Sequence, residues 1–198
     1  MATYASIKYD MDLASSATGA GALTLLATGT ASGDSTLSFT SNIDSTYDEY
    51  VFKFYDLNPA TDDKKFQFNL SADGGSNYNV TKTTTFFSAY HDESDTATNL
   101  GYRTGNDLAQ GTGVQFFTDS AGNGSDESAA GELHLFAPSS TTFVKHFYSR
   151  TSTYYTSNYA FDVFVAGYAN TTSAVNAVQF SVESGGNFDG TIKLYGIK

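Results

Sequence analysis

The chain has no cysteine and no tryptophan, and its only prolines are Pro59 and Pro138. Without cysteine there is no disulfide framework, no thiolate metal site and no cysteine nucleophile. The compartment stays open, because a secreted protein of this size can also lack cysteine. Basic residues are scarce: ten Lys and Arg stand against 21 Asp and Glu, giving a net charge of -11. Nucleic acid and anionic lipid are held by clustered cations, and here the cations are scattered, so neither partner is expected. Long hydrophobic runs are missing too. The longest apolar stretch, Ala20–Ala27, falls far short of the roughly 20 residues that cross a bilayer, so no membrane insertion is expected. Met1–Asp12 carries Asp10 and Asp12 beside a single base, Lys8, which is the wrong charge pattern for a secretory signal.

What the chain does have is aromatic mass of the kind strands favour, with 14 Tyr and 16 Phe, and 18 Gly to punctuate it. Many short strands joined by Gly, Asn, Asp and Ser turns have this composition. At 198 residues the length suits one all-β domain, or one domain plus a short appendage.

Period-two alternation locates the strands. The clearest is Thr191–Ile197, where Ile192, Leu194 and Gly196 face one way and Lys193, Tyr195 and Ile197 the other. We expect it to be a closing strand laid beside strands from early in the chain. Leu13–Gly33 is small-residue-rich and predicts a flexible stretch followed by a short strand. Ser35–Ser41 is a cleaner strand, with Leu37 and Phe39 inward. In Tyr50–Leu57, Tyr50, Phe52, Phe54 and Asp56 share one face and Val51, Lys53, Tyr55 and Leu57 the other. Lys65–Ser71 points Phe66, Phe68 and Leu70 inward and Lys65, Gln67 and Asn69 outward. With the Asn58–Asp63 turn between them, these last two predict a hairpin.

Further strands are expected at Tyr78–Tyr90, Val114–Thr118, Glu132–Ala137, Phe143–Arg150, Asn158–Tyr168 and Ala174–Glu183. The long polar loops are His91–Gly113 and Asp119–Ala130. About nine to eleven strands at this spacing, with no significant helix, predict an antiparallel β-sandwich of jelly-roll type. First strands pairing with last ones would remove an exposed edge. The division expected is an attachment arm at Met1–Ser32 and a sandwich domain from Gly33 to Lys198.

No motif carries chemistry. His134 and His146 lie on consecutive strands and could face each other, but neither they nor His91 has a third ligand at recognisable spacing. Asp62-Asp63, Asp92-Glu93-Asp95 and Asp126-Glu127 lack the Ca²⁺-loop pattern and are read as solvated loop charge. No GxSxG elbow is present. Glu132, Asp162 and Glu183 are the acids expected on strands, pointing outward; paired carboxylates of a glycosidase are decided in space, which the sequence leaves open. Tyr102, Tyr148, Tyr154, Tyr155 and Tyr159 lie in or near loops, where tyrosines serve as sugar platforms or as subunit contacts. The interface reading is preferred. No catalytic residue, metal or cofactor is expected.

Two segments carry a resemblance. Ser35–Phe54, with STLSFT and YDEYVFKF, and Ser184–Lys198, SGGNFDGTIKLYGIK, resemble the ends of small β-sandwich virion proteins of tailed phages, particularly marine ones. In these an apolar strand and a Y-x-x-hydrophobic strand open the sandwich, and a G-x-F…G-T-x-x-L-Y-G-I-K/R strand ends it. The likeness covers both ends of the domain and hardly touches the middle. It implies a non-enzymatic, jelly-roll-like structural protein on the capsid surface, as decoration or fibre, or in the tail. Such a protein would be assembled in the host cytoplasm, act as a homo-oligomer, with a trimer favoured, and contact other virion proteins. The competing class is a carbohydrate-binding adhesin that reads a host-surface glycan through His91–Gly113 and Tyr154–Tyr159. A glycan-degrading enzyme is the third.

Overall fold

A computed structural model describes residues 23–198. They form twelve strands: β1 (Thr24–Asp34), β2 (Thr36–Phe39), β3 (Glu49–Pro59), β4 (Phe66–Ser71), β5 (Lys82–Asp92), β6 (Thr98–Tyr102), β7 (Gln115–Phe116), β8 (Ala129–Phe136), β9 (Lys145–Tyr155), β10 (Tyr159–Ala169), β11 (Ala177–Val182) and β12 (Phe188–Ile197). All named pairings are antiparallel. The large sheet runs β1-β12-β3-β8-β9-β10-β5-β6 and the small one β2-β11-β4-β7. The fold is an all-β antiparallel sandwich, compatible with the jelly-roll type. Beyond a short 3₁₀ turn at Glu183–Gly185 there is no helix among the described residues.

β12 lies inside the large sheet, between β1 and β3. Ile192 and Leu194 are buried, opposite Phe54 and Phe52 of β3. Gly196 continues that face without a side chain, and the Tyr47 ring fills the space; a Cβ there would stand 2.4 Å from it. Between the sheets, Phe180 of β11 meets Phe52 at 5.2 Å, Phe54 at 5.5 Å and Phe117 at 6.0 Å, all edge-on. Edge-to-face rings at this spacing are worth more than their buried area alone.

The structure corrects several expectations. β3 and β4 are not a hairpin: they lie in opposite sheets, because β4 pairs with β11 and β7. β4 is therefore buried throughout, and Gln67 and Asn69, expected outward, are inside. Their amides reach the Val182 and Tyr78 carbonyls, which a buried amide requires. In β3 the register shifts between Phe54 and Leu57, and Asp56 takes a left-handed φ of 53°. This bulge turns Leu57 into the core and Asp56 out, against the strict alternation expected. The expected loop His91–Gly113 contains β6. Asp92 closes the β5–β6 turn by accepting from the backbone N–H of Thr96 at 2.8 Å and Ala97 at 2.7 Å.

The segment after β6 then packs across the inner face of the large sheet. Arg103 Nε donates to Ser88, Thr84 Oγ1 to Gln115, and Thr151 Oγ1 to the Phe117 carbonyl. Hence β5 and β9 carry inward Ser and Thr where a sandwich usually places aliphatics. The arm expected at Met1–Ser32 lies mostly outside the described residues. Its last part, from Thr24, is strand β1, hydrogen-bonded along β12.

Two lysines flank Ala169, one on each neighbouring strand: Lys82 on β5 and Lys145 on β9. Both are fully buried. Lys82 Nζ donates to Asn69 Oδ1 and the Val80 carbonyl, and Lys145 Nζ to the carbonyls of Phe143 and Thr171. Burial lowers both ammonium groups, Lys82 to about 8.

Two outcomes are expected. First, removing Thr191–Lys198 should leave an insoluble or unfolded chain, while removing Lys198 alone should be harmless. Each buried aliphatic lost costs about 2–5 kcal/mol against a whole-domain stability of about 5–15 kcal/mol, and β1 and β3 lose their common partner. Soluble yield and melting of the two truncations check this. Second, the unfolded chain keeps the Lys82 proton up to its ordinary value near 10.5, whereas the fold releases it near 8. Stability contributed by Lys82 should therefore rise between pH 8 and 10, by up to about 1.4 kcal/mol per pH unit. Urea unfolding at successive pH values should show this rise in the parent chain and a flatter profile in Lys82→Met.

Candidate functional site

The outer face of the large sheet is the side turned away from β2, β11, β4 and β7. Side chains opposite one another on neighbouring strands share a face, so the register defines rows across this surface. One row is bulky: Lys53, Glu132, Arg150, Phe164, Phe87 and Tyr102, in order from β3 to β6. In the next row Ala130, Ser152 and Ala89 are small, with Asp162 between the last two. The third aligns Tyr154, Ala160 and His91.

Small residues beside a bulky row leave a trench that crosses β8, β9, β10 and β5. Its volume is about 780 Å³, within the range of roughly 300–1,000 Å³ typical of ligand clefts. Tyr55, 39% exposed, closes the β3 end. A smaller depression toward Glu93, Asp126, Tyr154 and Tyr159 runs alongside it, on the side away from the bulky row, sharing His91, Ala130, Ser152 and Ala160 with the trench. Gly131 makes the floor possible. At its φ of 156° a Cβ would lie 2.3 Å from the Arg150 carbonyl oxygen, so only glycine lets β8 and β9 approach here.

The trench wall is charged, and its charges are paired. Lys53 Nζ stands 3.4 Å from Glu132 Oε2. Arg150 grips Asp162 with two bonds, Nε to Oδ1 at 3.1 Å and Nη2 to Oδ2 at 2.8 Å, while lying over the Phe164 ring at 4.9 Å. This fork-on-carboxylate geometry fixes both side chains and raises the Arg150 pKa above its usual value, chiefly through the Asp162 hydrogen bonds. Lys193 covers Tyr55 at 5.1 Å. Burial raises the Glu132 pKa, but His134 and Lys53 together outweigh it and hold the carboxyl below its ordinary value. A general acid in glycoside cleavage needs the opposite shift. As they stand, Glu132 and Asp162 are fixed hydrogen-bond acceptors.

The structure separates other residues that the sequence groups. His134 lies opposite Tyr148, and His146 opposite Tyr168, so the two histidines do not face each other. His134 stacks on Tyr148 at 4.5 Å, and its Nδ1 meets Glu49. Its Nε2 lies 3.2 Å from Glu132, near enough for attraction but not aligned for a hydrogen bond. Tyr102 sits on edge strand β6 and donates to Asp107 at 2.6 Å. Tyr154 donates to Glu93 at 3.1 Å. Tyr155 and Tyr159 belong instead to an aromatic cluster with Tyr90 and Phe161. Of the tyrosines singled out as contacts, Tyr154 and Tyr159 border the depression alongside the trench, and Tyr102 lies elsewhere.

The acidic clusters lock loops. The Asp92 carboxyl is held far below its ordinary value by Ser94, Thr96 and the Ala97 N–H. Asp62 accepts from Thr156 at 2.6 Å and from the Asn123 N–H at 3.2 Å. Among the described residues no three His, Cys, Asp or Glu side chains are grouped to hold a metal ion. No protein-family model and no curated protein matches the chain.

The floor of the trench has no signature in any one strand, because Ala130, Ser152, Ala160 and Ala89 are individually bland. What the sequence does show is that Lys53, Glu132, Arg150 and Asp162 are charged residues within strands. All four line the trench.

The close approach at Gly131 makes a sharp comparison. Gly131→Ala should lower stability by about 1–3 kcal/mol through backbone collision, while exposed Ala130→Ser next to it should stay within about 0.5 kcal/mol. Urea midpoints of the two variants measure both.

Proposed function

We propose that the chain is a non-enzymatic structural protein of a tailed-phage particle, of the capsid surface or tail, that works as a homo-oligomer through protein–protein contacts. The observation that carries this reading is the aromatic half of the outer face, on the other side of the bulky row from the trench. There Phe136, Tyr148, Tyr168 and His146 surround a depression of about 390 Å³ over Gly167. Beside it Phe87 stacks flat on Phe164, 4.9 Å apart at 4°. Tyr148 is 43% exposed. A contiguous exposed patch of this kind marks a protein contact, and Tyr and Phe are the residues that enrich such contacts.

The partner proposed is a second copy of the chain. Copies at net charge -11 repel one another, and a homotypic contact is favoured where like charge is absent. In this patch Glu49 is already engaged by His134. The resemblance of Ser35–Phe54 and Ser184–Lys198 supplies the particle context. In the fold these segments reach β2, β3 and β12, the strands that set the sandwich, so the likeness bears on scaffold more than on the contact face.

Sedimentation velocity of the purified chain should give an oligomer, with a trimer favoured. Tyr148→Glu combined with Phe87→Glu should yield a monomer of unchanged far-UV spectrum, since both side chains are on the solvent face. Mass spectrometry of purified particles should detect the parent protein. A chain that is monomeric throughout and missing from particles would overturn the reading.

A further inference from the structure

The trench poses a question that the assembly reading leaves unanswered: what a paired, electroneutral, apolar-floored groove is for. Its length and its chemistry limit the answer. From β3 to β5 it spans four inter-strand spacings, or about 19 Å at roughly 4.8 Å each, so it suits an extended ligand better than a compact one. The floor is Ala and Ser, interrupted on β10 by the Asp162 carboxylate that Arg150 holds, with the Tyr55 ring at one end. The wall presents Glu132 and Asp162 as acceptors and Lys53 and Arg150 as donors, each held in place by its partner. None of these four charges is free to neutralise a charged ligand. In the depression alongside, the acids Glu93 and Asp126, together with the overall net charge of -11, disfavour an anionic one.

We propose that this trench binds a short segment of neutral glycan. A sugar ring has an apolar C–H face and a rim of hydroxyls, each both donor and acceptor. The C–H face fits the Ala floor and the Tyr55 ring. The hydroxyl rim fits alternating fixed donors and acceptors, which cost little ordering on binding because the ion pairs already hold them. A peptide in extended form would seek a sheet edge for its backbone groups, whereas the trench is crossed by strands whose backbone bonds are already made within the sheet. The inference rests on the trench alone and stands or falls independently of the particle assignment.

The test uses the full chain on an array printed with neutral and charged glycans, followed by NMR titration with the best-bound neutral oligosaccharide. We expect neutral glycans to be bound, with chemical-shift changes centred on Ala89, Ala130, Ser152 and Ala160. Ala160→Arg and Ser152→Arg place a long side chain in the trench from solvent-facing positions, and each should weaken binding at least about tenfold; Tyr55→Ala should weaken it by about the same factor. Tyr102→Ala, off the trench, should bind as the parent does. Far-UV spectra and melting confirm that each variant is folded, and shift mapping on the parent chain needs no variant. Binding of acidic or cationic glycans alone, shifts centred elsewhere, undiminished binding by the filled variants, or no binding across the array would each overturn the proposal. So would self-association that Ala160→Arg abolishes, since the trench would then be a contact between copies.

Discussion

The pairing of β12 with β1 on one side and β3 on the other holds the large sheet together. A strand from the end of the sequence occupies an interior position between two from its beginning, so β1 cannot join the sheet until the chain has closed on itself. Both sets of backbone groups on β12 are taken up along its length, and its buried face supplies Ile192 and Leu194 to the core. Contacts of such long sequence separation order the whole intervening chain at once, and they make folding slow and cooperative. The edge-packed phenylalanines around Phe180 rest on Phe52 and Phe54 of β3, and β12 sets Ile192 and Leu194 beside those two.

The two sheets are unequal. Four strands cannot cover eight, and the excess of the large sheet is dealt with differently on its two faces. On the inner face the segment after β6, through β7, reaches β5 and β9. It is held by hydrogen bonds from Arg103, Thr84 and Thr151, so those strands turn Ser and Thr inward. On the outer face nothing among the described residues lies over the sheet, and its rows of side chains meet solvent directly. That surface divides at the line from Lys53 to Tyr102 into an aromatic half and a trench with paired charges. A contact between copies and a glycan site can therefore coexist on one sheet without competing for the same residues.

Much of the strand pattern was legible from residues alone. The faces of β9, β10 and β12 follow simple alternation, because side-chain direction in a strand is a local property of period two. The exceptions have local causes that alternation does not reveal. Asp56 flips the rest of β3 by adopting a left-handed φ, and Asp92 folds β5 back into β6 through side-chain bonds within a stretch that reads as loop. Gln67 and Asn69 read as outward because they are polar, but in β4 both faces are covered and their amides bond within the protein.

Composition and alternation were sufficient to determine an all-β antiparallel sandwich, the faces of strands such as β10 and β12, and a last strand lying beside early ones. They work because burying aromatic and branched residues on one side of a pleat needs no knowledge of the partner. Which strands pair was decided only by the tertiary structure: β3 with β12 and β8 rather than with β4, His134 with Tyr148 rather than with His146. The trench belongs to the same class. Ala130, Ser152, Ala160 and Ala89 come from four different strands and form a floor only when the register aligns them. Register is a property of pairs of strands, set by the packing of the whole sheet, and no single segment encodes it.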